Sequence, residues 1–316
     1  MNRAKKITSW LGMMLMLVSL IFIGRQLMTQ ELDFSMLTSP WRIAGIVLLI
    51  IATAVILLAA AINYKAWVRD VSGIDVSLPS TMTIYLISNL YKYIPGSVLY
   101  FLGRQRLAIE HKNLKHSQVA LATLWEGIFA VIAAAVVALL CASGHISAVI
   151  AEVEISATTL TATLLGVVVL LLLLAYLFRR NIAIWYRKLT ANKQTMSIST
   201  LSRRMIFALG MVFLWGVVFL LTLLILGHPA TPRFLFTIIG LYLFSWLVGL
   251  MIPGVPGGLG VREAALLLFM GGVADESILL PTLIIHRANI VLGDVLAYLI
   301  AIGYAKLTTR LYPTRE

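Results

Sequence analysis

Apolar positions run along this chain in long blocks. Five of them reach the roughly 20 residues that a helix needs to cross a hydrocarbon core about 30 Å thick. They are Ile43–Asn63, Ser117–Cys141, Thr158–Phe178, Met205–Gly227 and Leu279–Leu307, and a shorter run, Trp10–Gly24, precedes them. The pattern predicts six membrane-spanning helices. Two further segments, Ser80–Ala108 and Phe234–Gly272, are broken by Pro-Gly pairs. The first carries Pro95 and Gly96 in "IPGSVLYFLGR"; the second carries Pro253, Gly254, Pro256, Gly257, Gly258 and Gly260 in "IPGVPGGLGVR". Proline removes an amide donor and stops helical propagation, and glycine permits unusual dihedrals and the close approach of another group. In lipid such backbone is tolerated only where protein or a water-filled cavity covers it. The breaks therefore predict a cavity.

The two broken stretches also resemble each other. Ile, Pro and Gly coincide, and an Arg follows nine residues after the Pro in both, at an offset of 158 residues from Arg104 to Arg262. Around these anchors the order of elements repeats: span, span, broken segment, span with buried charge. The expectation is a single all-α, polytopic transmembrane domain of two repeats, about 1–156 and 157–316. It has about six full spans and two Pro-Gly-broken re-entrant segments. With three crossings each, the repeats are inverted, an arrangement in which discontinuous helices meet near the midplane of a transporter.

Composition agrees with the membrane assignment: of 316 residues 60% are hydrophobic and only 12% charged. The net charge of +12 is explained by the positive-inside rule rather than by nucleic acid. With both termini and the Arg179–Arg204 loop cytoplasmic, the stretch Lys65–Lys115 also falls inside, while the connection Ala142–Ala157 carries Glu152 and Glu154 but no Lys or Arg. The expected location is a bacterial cytoplasmic (inner) membrane, multi-pass. Arg25-Gln26-Leu27-Met28 follows Gly24 in place of a small-x-small cleavage site, so the first span is expected to stay uncleaved. The single cysteine, Cys141, excludes an intrachain disulfide, and the five histidines show no metal-ligand spacing. No metal and no cofactor is expected.

Candidate chemistry sits on the breaks and in the spans. A helix restarting near Gly260 points an amide-rich N-terminus into the cavity, where it favours anions, and Arg262 adds a full charge beside Glu263. Glu126 lies about ten residues into its span and needs a partner or water, because its insertion costs about 3 kcal/mol. Arg287 and Asp294, seven residues apart, share a helix face, with Tyr298 a turn further; they either serve a substrate or pair with each other as structural glue. Asn89 and Lys92 precede the first break and are expected at the cytoplasmic mouth, Lys92 as an interfacial anchor. The Trp and Tyr residues mostly fit interfacial belts.

"NLYKYIPGSVLYFLGR", Glu126, "PGVPGGLGVRE", Arg287 and Asp294 together resemble the lysylphosphatidylglycerol synthase transmembrane (flippase-like) family, which includes the membrane half of the multiple peptide resistance factor. The resemblance runs from about Ile43 to Leu307. It implies movement of lipids with charged or glycosylated headgroups between leaflets, phospholipids or polyprenyl-phosphate sugars, with Arg104, Glu126, Arg262, Glu263, Arg287 and Asp294 as site residues. Leu99 and Tyr100 stand where relatives commonly have small residues, which implies a less open first break. No stretch has the composition of the soluble aminoacyl-transferase domain, so synthesis of lysylphosphatidylglycerol is not expected.

Three functions fit these residues: a lipid translocator, a membrane subunit anchoring a separate synthase or glycosyltransferase, and an integral-membrane headgroup transferase. The transferase lacks an acidic metal cluster and a nucleophile-base pair, and no Walker motif appears. The expectation is a non-enzymatic translocator with a membrane lipid as its partner.

Overall fold

The computed structural model describes residues 39–93, 98–111, 113–151, 196–229, 231–251, 260–271 and 273–311, all as helices and short connections. The expected spans Trp10–Gly24 and Thr158–Phe178 lie outside these residues, as do Glu152, Glu154 and the breaks Pro95, Gly96, Pro253, Gly254, Pro256, Gly257 and Gly258.

The first long helix, α1 (Pro40–Ser72), starts with proline in its first turn, where no intrahelical donor is lost. It stops at Gly73, whose φ of 73° closes the last turn with an N–H···O bond of 2.8 Å to Arg69. Its inner stripe of Ala54, Leu57, Ala61, Tyr64, Val68 and Val71 is buried, while Leu48, Ile51 and Val55 stay exposed. That is a helix apolar all round, packed on one side and facing lipid on the other.

The first broken segment follows as α2 (Leu78–Leu90), a 3-10 turn (Tyr91–Tyr93), α3 (Val98–Arg104) and α4 (Arg106–Glu110). The long helix α5 (His116–Ala151) comes next. It continues well past Cys141, so much of the stretch read as an external connection from Ala142 is helix. The apolar residues that follow propagate it, and the lone Gly144 does not stop it. Beyond the undescribed stretch come α6 (Ile198–Ile225), α7 (Pro232–Met251), α8 (Val261–Phe269) and α9 (Glu276–Leu311).

Five of these helices are long and apolar enough to cross a membrane, and four correspond to spans expected from sequence. The fifth lies in α7. At 20 residues α7 spans about 30 Å by itself, whereas α2, with 13, spans about 20 Å. The second broken segment therefore begins with an arm long enough to cross, and the first does not.

The described helices recur at the same offset of 158: α1 with α6, α2 with α7, α4 with α8, α5 with α9. Their packing recurs too. α1 lies against α9 as α6 lies against α5, and α2 lies against α9 as α7 lies against α5. The corresponding helices α1 and α6 run in opposite directions. The start of α6 meets the end of α1 through Arg204 Nη2 and Asp70 Oδ2 at 2.6 Å, and the end of α6 meets the start of α1 where Ile225 covers Gly45.

Close packing rests on small residues, as expected where lipid removes the hydrophobic drive between helices. A Cβ on Gly293 of α9 would stand 2.3 Å from Thr53 Cγ2 of α1, and one on Gly240 of α7 would stand 2.7 Å from Ala142 of α5. The end of α1 also meets the start of α5. Tyr64 Oη lies 2.9 Å from Thr123 Oγ1 and donates to the Val119 carbonyl at 3.4 Å. The first broken segment thus leaves and rejoins the bundle at one end. Basic residues gather there: Arg204 holds Asp70 and Asn63, Lys65 holds Asp75 at 3.0 Å, and Arg203 and Arg106 are exposed.

Candidate functional site

Seven residues separate Arg287 from Asp294, which puts them on one face of α9 but about 10 Å apart along its axis. That separation decides their partners. They do not pair with each other, which removes the alternative of mutual structural glue. Arg287 Nη2 lies 3.1 Å from Glu263 Oε1, at the start of α8. Asp294 takes Lys92 Nζ at 2.7 Å, Asn89 Nδ2 at 2.6 Å and the Tyr93 hydroxyl. With only 1% of its side chain exposed, the Asp294 carboxylate is satisfied by three donors from the first broken segment. Asn89 and Lys92 therefore face inward onto α9, where the sequence suggested a cytoplasmic mouth and an interfacial anchor. A carboxylate in the bundle attracts the ammonium more strongly than the interface does.

The second broken segment brings Arg262, Glu263 and Gly260. Gly260 precedes α8 with a φ of 84°, a conformation that favours glycine. Its N–H donates to Glu263 Oε2 at 2.8 Å, while the other oxygen of Glu263 faces Arg287. This capping carboxylate already occupies the helix N-terminus, which was expected to be free for an external anion. The unspent positive charge lies instead on Arg262. Its guanidinium stands 4.4 Å over the ring of Tyr242, a cation–π contact, and only 9% of the residue is exposed. Tyr242 stacks on Phe219 at 4.8 Å and shares a 3.0 Å hydrogen bond with His286 Nε2. These groups, with Glu263, Arg287 and a wall of Leu266, Leu283 and Ile290, line a small cavity.

One constellation results. Arg287 and Asp294 of α9 each take a partner from a different broken segment, Glu263 and Lys92, so the two broken segments meet on α9. Two of the three cations have carboxylates: Lys92 has Asp294 and Arg287 has Glu263. Arg262 has none within 4 Å among the described residues. A buried charge left without a counter-ion is costly by several kcal/mol.

A second cluster surrounds Arg104, at the other arm of the repeat. Arg104 Nη1 binds Glu126 Oε2 at 2.5 Å, and Tyr85 donates to Glu126 Oε1 at 2.9 Å. The guanidinium lies 4.5, 4.2 and 4.5 Å from the rings of Tyr64, Tyr85 and Tyr100, and its Nη2 also reaches the Tyr100 hydroxyl. Glu126 thus has the partner its depth demanded, and Tyr100 packs on the same guanidinium; the openness expected of the first break concerns residues outside those described.

Five tyrosines depart from the interfacial-belt expectation. Tyr64, Tyr85, Tyr100, Tyr93 and Tyr242 all touch buried charges, and His286 joins them. The signal available was their spacing: Tyr85 lies four residues before Asn89, and His286 adjoins Arg287. Tyr298, a turn beyond Asp294, packs partly buried against the apolar core. Among the described residues no group of His, Cys, Asp and Glu could hold a metal. Outside the spans, the exposed Asp275 before α9 accepts from the Ser277 amide at 3.1 Å, which holds its carboxyl below the usual range.

A family model described as the lysylphosphatidylglycerol synthase TM region matches residues 9–297. No curated protein matches the chain.

Proposed function

The chain belongs to the lysylphosphatidylglycerol synthase transmembrane family, and from that premise we propose that it is a flippase, moving an anionic or glycosylated phospholipid or polyprenyl-phosphate lipid between leaflets. The observation that carries this reading is Arg262: a nearly buried guanidinium at a cavity, beside a broken helix, without a carboxylate partner among the described residues. A phosphodiester supplies the missing charge and two oxygens suited to the planar fork of arginine. The opposed directions of α1 and α6 support inverted repeats, in which the broken segments are re-entrant and the site is offered to either side in turn. The basic end of the bundle, where α1 finishes, faces the cytoplasm by the positive-inside rule, with the protein in a bacterial inner membrane and both termini cytoplasmic. The chain acts without catalysing headgroup chemistry.

The test is translocation of a labelled anionic phospholipid in proteoliposomes, read by leaflet-selective quenching. Arg262→Ala abolishes translocation while the protein still inserts, and Arg262→Lys restores part of it, because an ammonium lacks the bidentate fork. Wild-type translocation by an inserted Arg262→Ala protein would overturn the reading.

A further inference from the structure

Arg104 and Arg262 occupy corresponding positions of the two repeats, yet only Arg104 carries a carboxylate. Its partner Glu126 sits on α5, and the residue 158 positions further on, in α9, is Ile284. The caging residues Tyr64, Tyr85 and Tyr100 correspond to Thr222, Leu243 and Gly258. None of these four groups recurs at the equivalent position of the other repeat, where Arg262 keeps one ring, Tyr242, from the position beside Leu243.

The grip on Glu126 is that of a ligand site. One carboxylate oxygen faces the Arg104 guanidinium at 2.5 Å, and the other accepts from Tyr85 at 2.9 Å. The two non-bridging oxygens of a phosphodiester carry the same single charge and can take the same two donors. A further donor is already present and unspent: Arg104 Nε is buried without a partner, in a residue only 1% exposed.

We propose that Glu126 is an internal stand-in for the anionic headgroup, and that Arg104 is a second phosphate-binding position which opens only when Glu126 leaves it. The inference rests on the reading of Arg262 as the phosphate contact of the other repeat. The headgroup then has two equivalent arginines, one free and one masked, and competes with Glu126 for the masked one.

Removing the stand-in should expose the site. Purified wild-type, Glu126→Ala and Arg104→Gln/Glu126→Ala proteins are heated in detergent with inorganic phosphate or dioctanoyl phosphatidylglycerol as probe. Both probes should raise the unfolding midpoint of Glu126→Ala further than that of the wild type, by on the order of 5 °C more at about 100 times the dissociation constant of the unmasked site. The gain should persist when Arg262 is also changed to Ala and vanish in the Arg104→Gln double variant. If Glu126→Ala fails to accumulate, Glu126→Gln, which keeps the side-chain volume, should show the same gain. A folded Glu126 variant that both probes stabilise no more than the wild type overturns the proposal and leaves Glu126 as a structural counter-ion. Stabilisation by phosphate but not by the lipid overturns the headgroup assignment and leaves a site for free phosphate. The reading of Arg262 is scored separately, with Glu126 intact: the lipid should stabilise the wild type and not Arg262→Ala.

Discussion

Replacing Asp294 with Asn tests whether the first broken segment is fastened to α9 by charge. The side chain keeps its shape and can still accept a hydrogen bond, but Lys92 loses its counter-ion. The ammonium and carboxylate stand 2.7 Å apart, with Asp294 1% and Lys92 28% exposed. At an effective dielectric constant of about 20, the Coulomb attraction at that distance is about 6 kcal/mol before desolvation. Breaking a buried pair from one side typically costs about 3–5 kcal/mol, because the remaining charge is stranded. The partial exposure of Lys92 puts the expectation at the lower end, about 3 kcal/mol, or a fall in unfolding midpoint approaching 10 °C. Lys92→Met in the same background should recover much of that loss, giving a coupling of about 2 kcal/mol. That exceeds the roughly 0.6 kcal/mol average of interhelical hydrogen bonds in membranes, so thermal unfolding of the four proteins of the cycle separates an ion pair from a hydrogen bond. Additive losses, or a loss below about 1 kcal/mol for Asp294→Asn, would refute the fastening.

Asp275→Ala should lower the unfolding midpoint at neutral pH by removing the side-chain cap of the Ser277 amide. Because the folded carboxyl titrates below its unfolded value, the cap's contribution is present above the ordinary carboxyl range. It is lost as pH falls through the folded value, so the two melting curves should converge in acid. For topology, a reporter fused after Glu152 should mark the periplasm and one within 188–200 the cytoplasm; the same side for both would refute the inverted arrangement.

The helical membrane class was legible because apolar length is a local property: α1, α5, α6 and α9 each contain a run that sequence alone marks as a span. The offset of 158 was legible too, since Arg104 and Arg262 sit at the same distance from a Pro-Gly pair. Partner choice was not. Helical period places Arg287 and Asp294 on one face, but which segment faces each turn depends on packing, and the packing gave Glu263 to one and Lys92 to the other. The tyrosines were misread for a related reason. An amphipathic ring suits a lipid interface and a buried guanidinium equally well, and only the fold distinguishes the two. The reach of α7 was obscured because the Pro-Gly break at its end marked the whole segment as discontinuous, although the break falls after a full crossing length.

The lengths of α1, α5 and α9 have a consequence for the bilayer that hosts them. With 33, 36 and 36 residues, they extend about 50–54 Å, well beyond a hydrocarbon core of about 30 Å. Helices of that length lean or project into the headgroup layer, and the lean follows the thickness of the surrounding lipid. Since α9 holds one broken segment at Glu263 and the other at Lys92, tilting it shifts both anchors together. Acyl-chain length is therefore expected to act on the charged centre through α9, whose stretch beyond Pro281 holds both interrupted helices.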